Sequence, residues 1–486
     1  MPYKTRVQAW VVIVLFGVVW NASSMAGATT GTEILVGAAT TNITPEGPVA
    51  LSGQMTTRIA LEVRSPLTAT AIALESRGEG KILDQAIMVS CDLVAIPQGI
   101  LDQLRQDLKD QLTGFDVNKL FLSATHTHTG PVLKEGLYDI PEKDVLQPTD
   151  YVRFLTERLS DLVVRAWEAR RPGAVSWGLG HAVVAQNRRA FYADGHAEMY
   201  GRTDVPQFRR IEGYEDHDVD VLFFWDHDKK LLAVAVNLAC PAQEVEGNST
   251  IDADFWHEVR VTLRQRYSQG LLVLGWVGAA GDQSPHLMYR KRAEERMRQL
   301  RGLTRLQEIA RRICQAVDEV YEVAQKDIRT DVPLVHKVEQ IKLPVRKVTD
   351  EELSLARARV EALLKDSHKK RMVVWHQSVI ERHQRQKTNP DYDVELHVIR
   401  LGDIAICTNP FELFTDFGVQ IKARSRALQT FVIQLTGEGG YVPTENAIRG
   451  GGYSAIVQSN VVGPEGGRAL VDCTVERINS LWADKP

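Results

Sequence analysis

Leu120-Phe121-Leu122-Ser123-Ala124-Thr125-His126-Thr127-His128-Thr129-Gly130-Pro131 reads as a buried strand running into a polar loop. The apolar triplet Leu120-Phe121-Leu122 suits the end of a buried strand. Gly130-Pro131 breaks it. In an extended segment, residues i and i+2 point to the same side. The pattern therefore predicts that His126 and His128 emerge together at a strand's end. Imidazole is the commonest metal ligand and the natural acid or base near neutral pH. A polar strand end with two half-exposed histidines is the plainer alternative, but the pair between an apolar strand and Gly-Pro points to a site.

Outward from this stretch, strands and helices alternate. Short strands are expected at 34–37, 66–74 and 86–91, with Asp92 just beyond the last. Helical spacing follows over 97–112 and over 151–170, the latter ended by Arg171-Pro172-Gly173. A strand-rich block covers 174–240. A helix over 254–267 leads to a strand at 271–277 that feeds Gly278-Ala279-Ala280-Gly281. A long helical pattern occupies 291–324. A second, highly charged one occupies 350–386 and reads as a helical hairpin or arm, with His368, His376 and His383 on its solvated surface. Strand returns over 394–408, and a closing helix runs over 464–482. The expected fold is α/β, with mixed β-sheets flanked by helices, in a single large domain over 29–486 carrying the charged helical arm 350–386 as an insertion.

The 486 residues are 44% hydrophobic and 25% charged with formal charge −4, an ordinary globular composition. No basic stripe of the kind nucleic acid requires is present. Lys4 and Arg6, the apolar run 9–20 and Ala26-Gly27-Ala28 have the order of a cleaved signal peptide over 1–28. The protein is therefore expected to be secreted or periplasmic, with no transmembrane segment after cleavage. Cys91, Cys240, Cys314, Cys407 and Cys473 are odd in number and scattered, which argues against a disulfide framework.

Four further segments resemble site loops. In Gly278-Ala279-Ala280-Gly281-Asp282-Gln283-Ser284-Pro285-His286, small residues let a substrate approach the backbone. Ser284 there could be an activated hydroxyl, with Asp282 beside it; a capped Gly-rich turn is the plainer alternative. In Asn409-Pro410-Phe411-Glu412 a carboxylate leaves an apolar strand, suiting a zinc ligand or a helix N-terminal acid. Gly437-Glu438-Gly439-Gly440-Tyr441-Val442-Pro443-Thr444-Glu445 and Gly450-Gly451-Gly452-Tyr453 are Gly-dense loops that present tyrosines. In Asn187-Arg188-Arg189, Arg188 could hold a carboxylate or an oxyanion, although surface arginines are far commoner.

Together these landmarks resemble the catalytic domain of the neutral, non-lysosomal ceramidase family. The resemblance is carried by Gly37-Ala38 to Ile43-Thr44-Pro45, Ser-Ala-Thr-His-Thr-His-Thr-Gly-Pro, Asn187-Arg188, Gly-Asp-Gln-Ser-Pro, Pro-Phe-Glu and Gly-Tyr-Val-Pro-Thr, in that order. It implies a Zn2+-dependent amidase that cuts the N-acyl bond of a ceramide-like lipid. His126, Glu412 and Tyr441 match zinc ligands, His128 lies beside the reacting centre and Ser284 is catalytic. The family's second zinc histidine has no counterpart in Asn237-Leu238-Ala239-Cys240-Pro241-Ala242-Gln243. Cys240 is a candidate replacement, with Gln243 or Glu244 as alternatives. The chain also leaves no room for the β-sandwich appended in typical ceramidases, so a catalytic domain alone is expected. The partner is a small-molecule or lipid substrate and not nucleic acid. A hydrolase of the same fold acting on a sugar or ester, and a binding protein that has lost a zinc ligand, are the alternatives.

Overall fold

Between Thr68 and Gly78 the side chains alternate between two apolar surfaces. Ala69, Ala71 and Ala73 face one cluster, and Ile72 and Leu74 face another. Period-two alternation with both sides apolar marks a strand buried on both faces. This strand belongs to an eight-stranded sheet in the computed structural model, which describes residues 32–482. The leader expected over 1–28 lies outside the described residues.

The sheet order is Leu272–Val277, Leu231–Leu238, Asp218–Asp226, Arg171–His181, Glu33–Asn42, Thr68–Gly78, Lys81–Cys91, Leu120–Ala124. The outermost pair at each edge is parallel and the inner pairs are antiparallel. A second sheet of four strands runs Leu334–Pro344, Asp391–Leu401, Ile404–Thr408, Gln429–Ile433, its last pair parallel. The two sheets pack face to face through Met88, Phe121, Phe224 and Trp276 from the first and Ile399, Ile406 and Phe431 from the second. The first sheet's other face is covered by the helices Gln98–Leu108, Pro148–Glu168, Phe255–Arg266 and Arg305–Ala324. The helices Thr415–Arg424 and Pro464–Ser480 cover the second sheet. The result is four layers, helix–sheet–sheet–helix, in agreement with the expected α/β class.

Local chemistry corrects several boundaries. Arg171-Pro172-Gly173 opens the strand Arg171–His181 as well as ending the preceding helix. The helical pattern at 291–324 is two helices, Lys291–Leu300 and Arg305–Ala324. They part at Gly302, whose φ of +66° suits glycine, and Thr304 starts the second through a capping box with Gln307. The arm is a hairpin of Asp350–Leu363 and Lys370–Arg385. His368 is exposed as expected and His383 is half-buried beside Asp350, but His376 is buried against Gln458.

The parallel pairs decide where the site forms. Lys81–Cys91 with Leu120–Ala124, Leu231–Leu238 with Leu272–Val277, and Ile404–Thr408 with Gln429–Ile433 each end side by side. The loops that follow are stitched to one another by Ala124 N to Leu435 O (3.2 Å), Ala242 N to Thr125 O (3.1 Å), Gln434 N to Val277 O (2.9 Å) and Gly281 N to Leu413 O (2.8 Å). Four of the segments singled out in the sequence thus meet at one edge of the two sheets, where α/β folds place ligand sites.

Candidate active site

The strand Leu120–Ala124 ends before the histidines, and Thr125 to Thr129 is irregular. His126 has φ +68°, a left-handed conformation that a non-glycine residue adopts only when its surroundings hold it there. The extended i, i+2 geometry expected from the sequence is therefore absent, yet the two rings still meet, with centroids 4.8 Å apart. The threonines make the difference. Thr125 Oγ1 donates to Asp92, and Thr127 and Thr129 both donate to the Asp252 carbonyl at 2.7 Å. Asp92 is itself clamped by Arg260 in a buried bidentate pair (2.7 and 2.9 Å).

His126 Nδ1 donates to the Val94 carbonyl at 2.6 Å, which turns Nε2 inward. That Nε2 is 3.3 Å from Glu412 Oε2 and 3.3 Å from His128 Nε2. Glu412 and Tyr441 are register partners in a two-residue parallel pairing, and burial beside the Glu412 charge pushes the Tyr441 hydroxyl well above its ordinary pKa. Arg188 completes the group. Its NH2 donates to the Tyr441 hydroxyl (3.0 Å) and the Gly281 carbonyl (2.9 Å), and its NH1 to Gln243 Oε1 (3.2 Å) and the Tyr200 hydroxyl (3.3 Å). Ser284 Oγ accepts from the Tyr200 hydroxyl and the His286 N–H, each at 3.1 Å, leaving its own O–H free to donate.

The loop after Leu238 sends Gln243, not Cys240, to the cluster. Gln243 Nε2 donates to His128 Nε2 at 2.7 Å. Cys240 is turned into the apolar core beneath the sheet, with Phe255 and Val259, and burial pushes its thiol well up. The chain turns sharply there, with Cys240 N donating to the Leu238 carbonyl. Cys240 is thus not among the donors in the cleft. Asp282 is not presented there either. One carboxylate oxygen accepts from the Thr415 N–H and hydroxyl and the other from Asn187, so it pins the loop that carries Ser284.

Three groups had not been singled out from the sequence. Glu246 lies 3.3 Å from His128 Nδ1 and 3.1 Å from His286 Nε2, and Tyr200 links Arg188 to Ser284. His286 closes the Ser284 loop and is visible in that motif; Glu246 follows Gln243 by three residues in an acidic loop, a weak signal. Burial lowers the His128 pKa and keeps the ring neutral at pH 7. Burial also opposes charge on His286, but its bond to Glu246 and the charges of Glu244, Glu246 and Asp254 together outweigh this and raise it. Burial disfavours the Glu412 carboxylate, and His126 and Arg188 overcome it, holding the group below its usual range.

Imidazole, carboxylate and phenol oxygen are donors that zinc accepts. Among the described residues, one set of three histidine and acidic side chains has ligand atoms mutually within 4.8 Å: Asp226, His227 and Asp228. These lie at an exposed turn, where Asp226 Oδ1 accepts from the N–H groups of Asp228 and Lys230. The cleft differs in having two imidazoles and a half-buried carboxylate backed by a buried phenol and a buried guanidinium.

No protein-family model and no curated protein sequence matches the chain. Solved structures share its fold, two of them ceramidases. One is a neutral ceramidase from Pseudomonas aeruginosa, with a TM-score of 0.67 and 18% identity over 92% of this chain and 74% of that one. The other is a ceramidase complexed with C2, with a TM-score of 0.65 and 17% identity over 93% of this chain and 75% of that one.

Proposed function

We propose that this chain is a hydrolase that holds zinc through His126, Glu412 and Tyr441 and cuts an N-acyl amide bond, in the manner of the ceramidases whose fold it shares. The observation that carries this reading is the inward Nε2 of His126, oriented by the Val94 carbonyl and set 3.3 Å from Glu412. With the imidazole neutral, a nitrogen lone pair and a carboxylate face each other in the cleft, an arrangement that a cation between them satisfies. Zinc there would supply Lewis acidity, polarising a carbonyl and making water a better nucleophile. Arg188 places a fixed positive charge beside Glu412 and Tyr441, where an amide carbonyl gains negative charge during attack. Neutral His128, backed by Glu246, takes up a proton and returns it to the leaving nitrogen. The free O–H of Ser284 orients the substrate carbonyl.

A second reading keeps the cleft and changes the substrate to a polar amide or ester, such as a sugar derivative. The lining supports it: Gln54, Arg188, Tyr200, Gln243, Glu246 and His286 are all polar. The leader sequence supports a secreted or periplasmic protein, and no described helix is long and apolar enough to cross a membrane. The reading is tested with protein purified without chelator and offered a short-chain fluorescent ceramide and an N-acylated amino sugar. Release of acid from either, abolished by Glu412→Gln, supports a hydrolase and identifies which substrate reading holds. Stoichiometric zinc with cleavage of neither removes both substrate readings. No zinc and no cleavage leaves the binding-protein alternative.

A further inference from the structure

The helical arm is built against the site. Its base is closed by Val348 N to Gln386 Oε1 (2.8 Å) and Gln386 Nε2 to the Val348 carbonyl (3.1 Å). Arg382 donates to the Asn460 and Val457 carbonyls at 2.8 and 2.6 Å, and Val457 shares an apolar cluster with Leu353, Ala356 and Val379 of the arm. The segment it grips is the one that positions Tyr441, since Asn460 is bridged to Gly440 and its side chain donates to the Tyr441 carbonyl.

One face of the arm's second helix looks into the cleft. The Trp375 ring lies 5.6 Å from Tyr453, and Tyr453 meets Tyr441 edge-on at 5.9 Å. Trp375 and Arg371 are four residues apart on this helix, hence on one face. Arg371 is half-buried, and it, Glu412, Arg188 and Tyr138 are the charged and ionisable neighbours of the Tyr453 hydroxyl. Arg188 has both terminal nitrogens committed within the site. Arg371 makes no hydrogen bond or ion pair among the described residues, in contrast to Arg382 and Arg385 of the same helix. A guanidinium with a free fork beside an aromatic wall is matched by an oxyanion, above all a carboxylate.

Taking the hydrolase reading as the premise, we infer that Arg371 is a specificity residue and that the substrate is an acidic amide of the N-acyl amino acid class. Its carboxylate pairs with Arg371, and Trp375 and Tyr453 flank the portion between that group and the amide. The arm is then one wall of the substrate site, and the site spans two parts of the chain that the sequence presents as separate.

The test uses N-octanoylglycine and its neutral methyl ester with the full mature chain, following binding by calorimetry and cleavage by release of octanoate. Wild type should favour the acid by about tenfold to a hundredfold, as a charge-assisted bond gives. Arg371→Ala should reduce that preference to less than about threefold, Arg371→Lys should retain part of it, and Arg385→Ala, at the far end of the helix, exposed and paired with Glu381, should leave it intact. Acid-selective binding that depends on Arg371, even without cleavage, supports the inference while removing the hydrolase premise. Cleavage of both compounds without charge preference, an equal loss of both in Arg371→Ala, or no binding of either overturns it.

Discussion

His126 concentrates the tension of the site in one residue. A left-handed backbone on a β-branch-free but bulky side chain costs about 1–3 kcal/mol, and here it turns one imidazole nitrogen to the Val94 carbonyl and the other to Glu412. Glu412→Gln retains the size of the side chain and removes the charge. It should lose zinc measured by elemental analysis while far-ultraviolet circular dichroism stays unchanged. Gln243 is the counterpart: its amide reaches His128, so Gln243→His places a third imidazole at the cleft. Competition with a chromophoric chelator should show zinc held about tenfold or more tighter. The histidine pair, Glu412, Tyr441 and Ser284 were legible as residues because each sits in a loop that follows an apolar strand. The displacement of Cys240 by Gln243 was not, because a sharp turn after Leu238 decides which side chain faces inward, and no periodicity encodes that turn.

At the scale of elements, strand ends and close backbone approaches place these groups. Gly281 packs against the Glu412 backbone so tightly that an added Cβ would collide with the Glu412 carbonyl and lie 3.0 Å from the Phe414 ring. Gly281→Ala should therefore displace Glu412 and reduce zinc affinity, a larger effect on binding than on melting temperature. Gly53, at φ +98°, plays the same part beside the His128 ring. Asp92 and Arg260 form the buried clamp under Thr125; Arg260→Met leaves an unpaired buried carboxylate and should cost about 3–5 kcal/mol in urea unfolding. The helices and long strands were legible from periodicity to within a few residues. The break at Gly302 and the strand opening at Arg171 were misread, since a glycine in a helical pattern and Pro172 near a helix end each permit two continuations.

For the whole molecule, stability and function draw on separate buried charges. Asp254, the N-cap of the helix Phe255–Arg266, has its pKa pushed up to about 7 by burial, against the pull of the Val245 and Phe255 N–H groups. A carboxyl with a raised native pKa binds its proton more tightly in the folded state. Its contribution to stability is thus present below the unfolded value near 4 and lost as pH rises toward 7. Asp254→Asn should flatten the fall in urea midpoint over that window. Glu395 behaves oppositely: burial resists its charge, but His397 and Arg105 hold it down at about 2, so its contribution is lost as pH falls from 4.5 toward 2. Mixed sheets flanked by helices were expected from alternating strands and helices; the four layers and the face-to-face pairing of the two sheets, which gathers their strand ends at one edge, depend on long-range packing and emerged only in three dimensions. The account rests above all on that edge holding a metal. Elemental analysis of the mature chain, purified without chelator, tests this most directly. About one zinc per chain, lost in His126→Ala, is the predicted result; a chain with no bound metal that takes up none when zinc is added would contradict it.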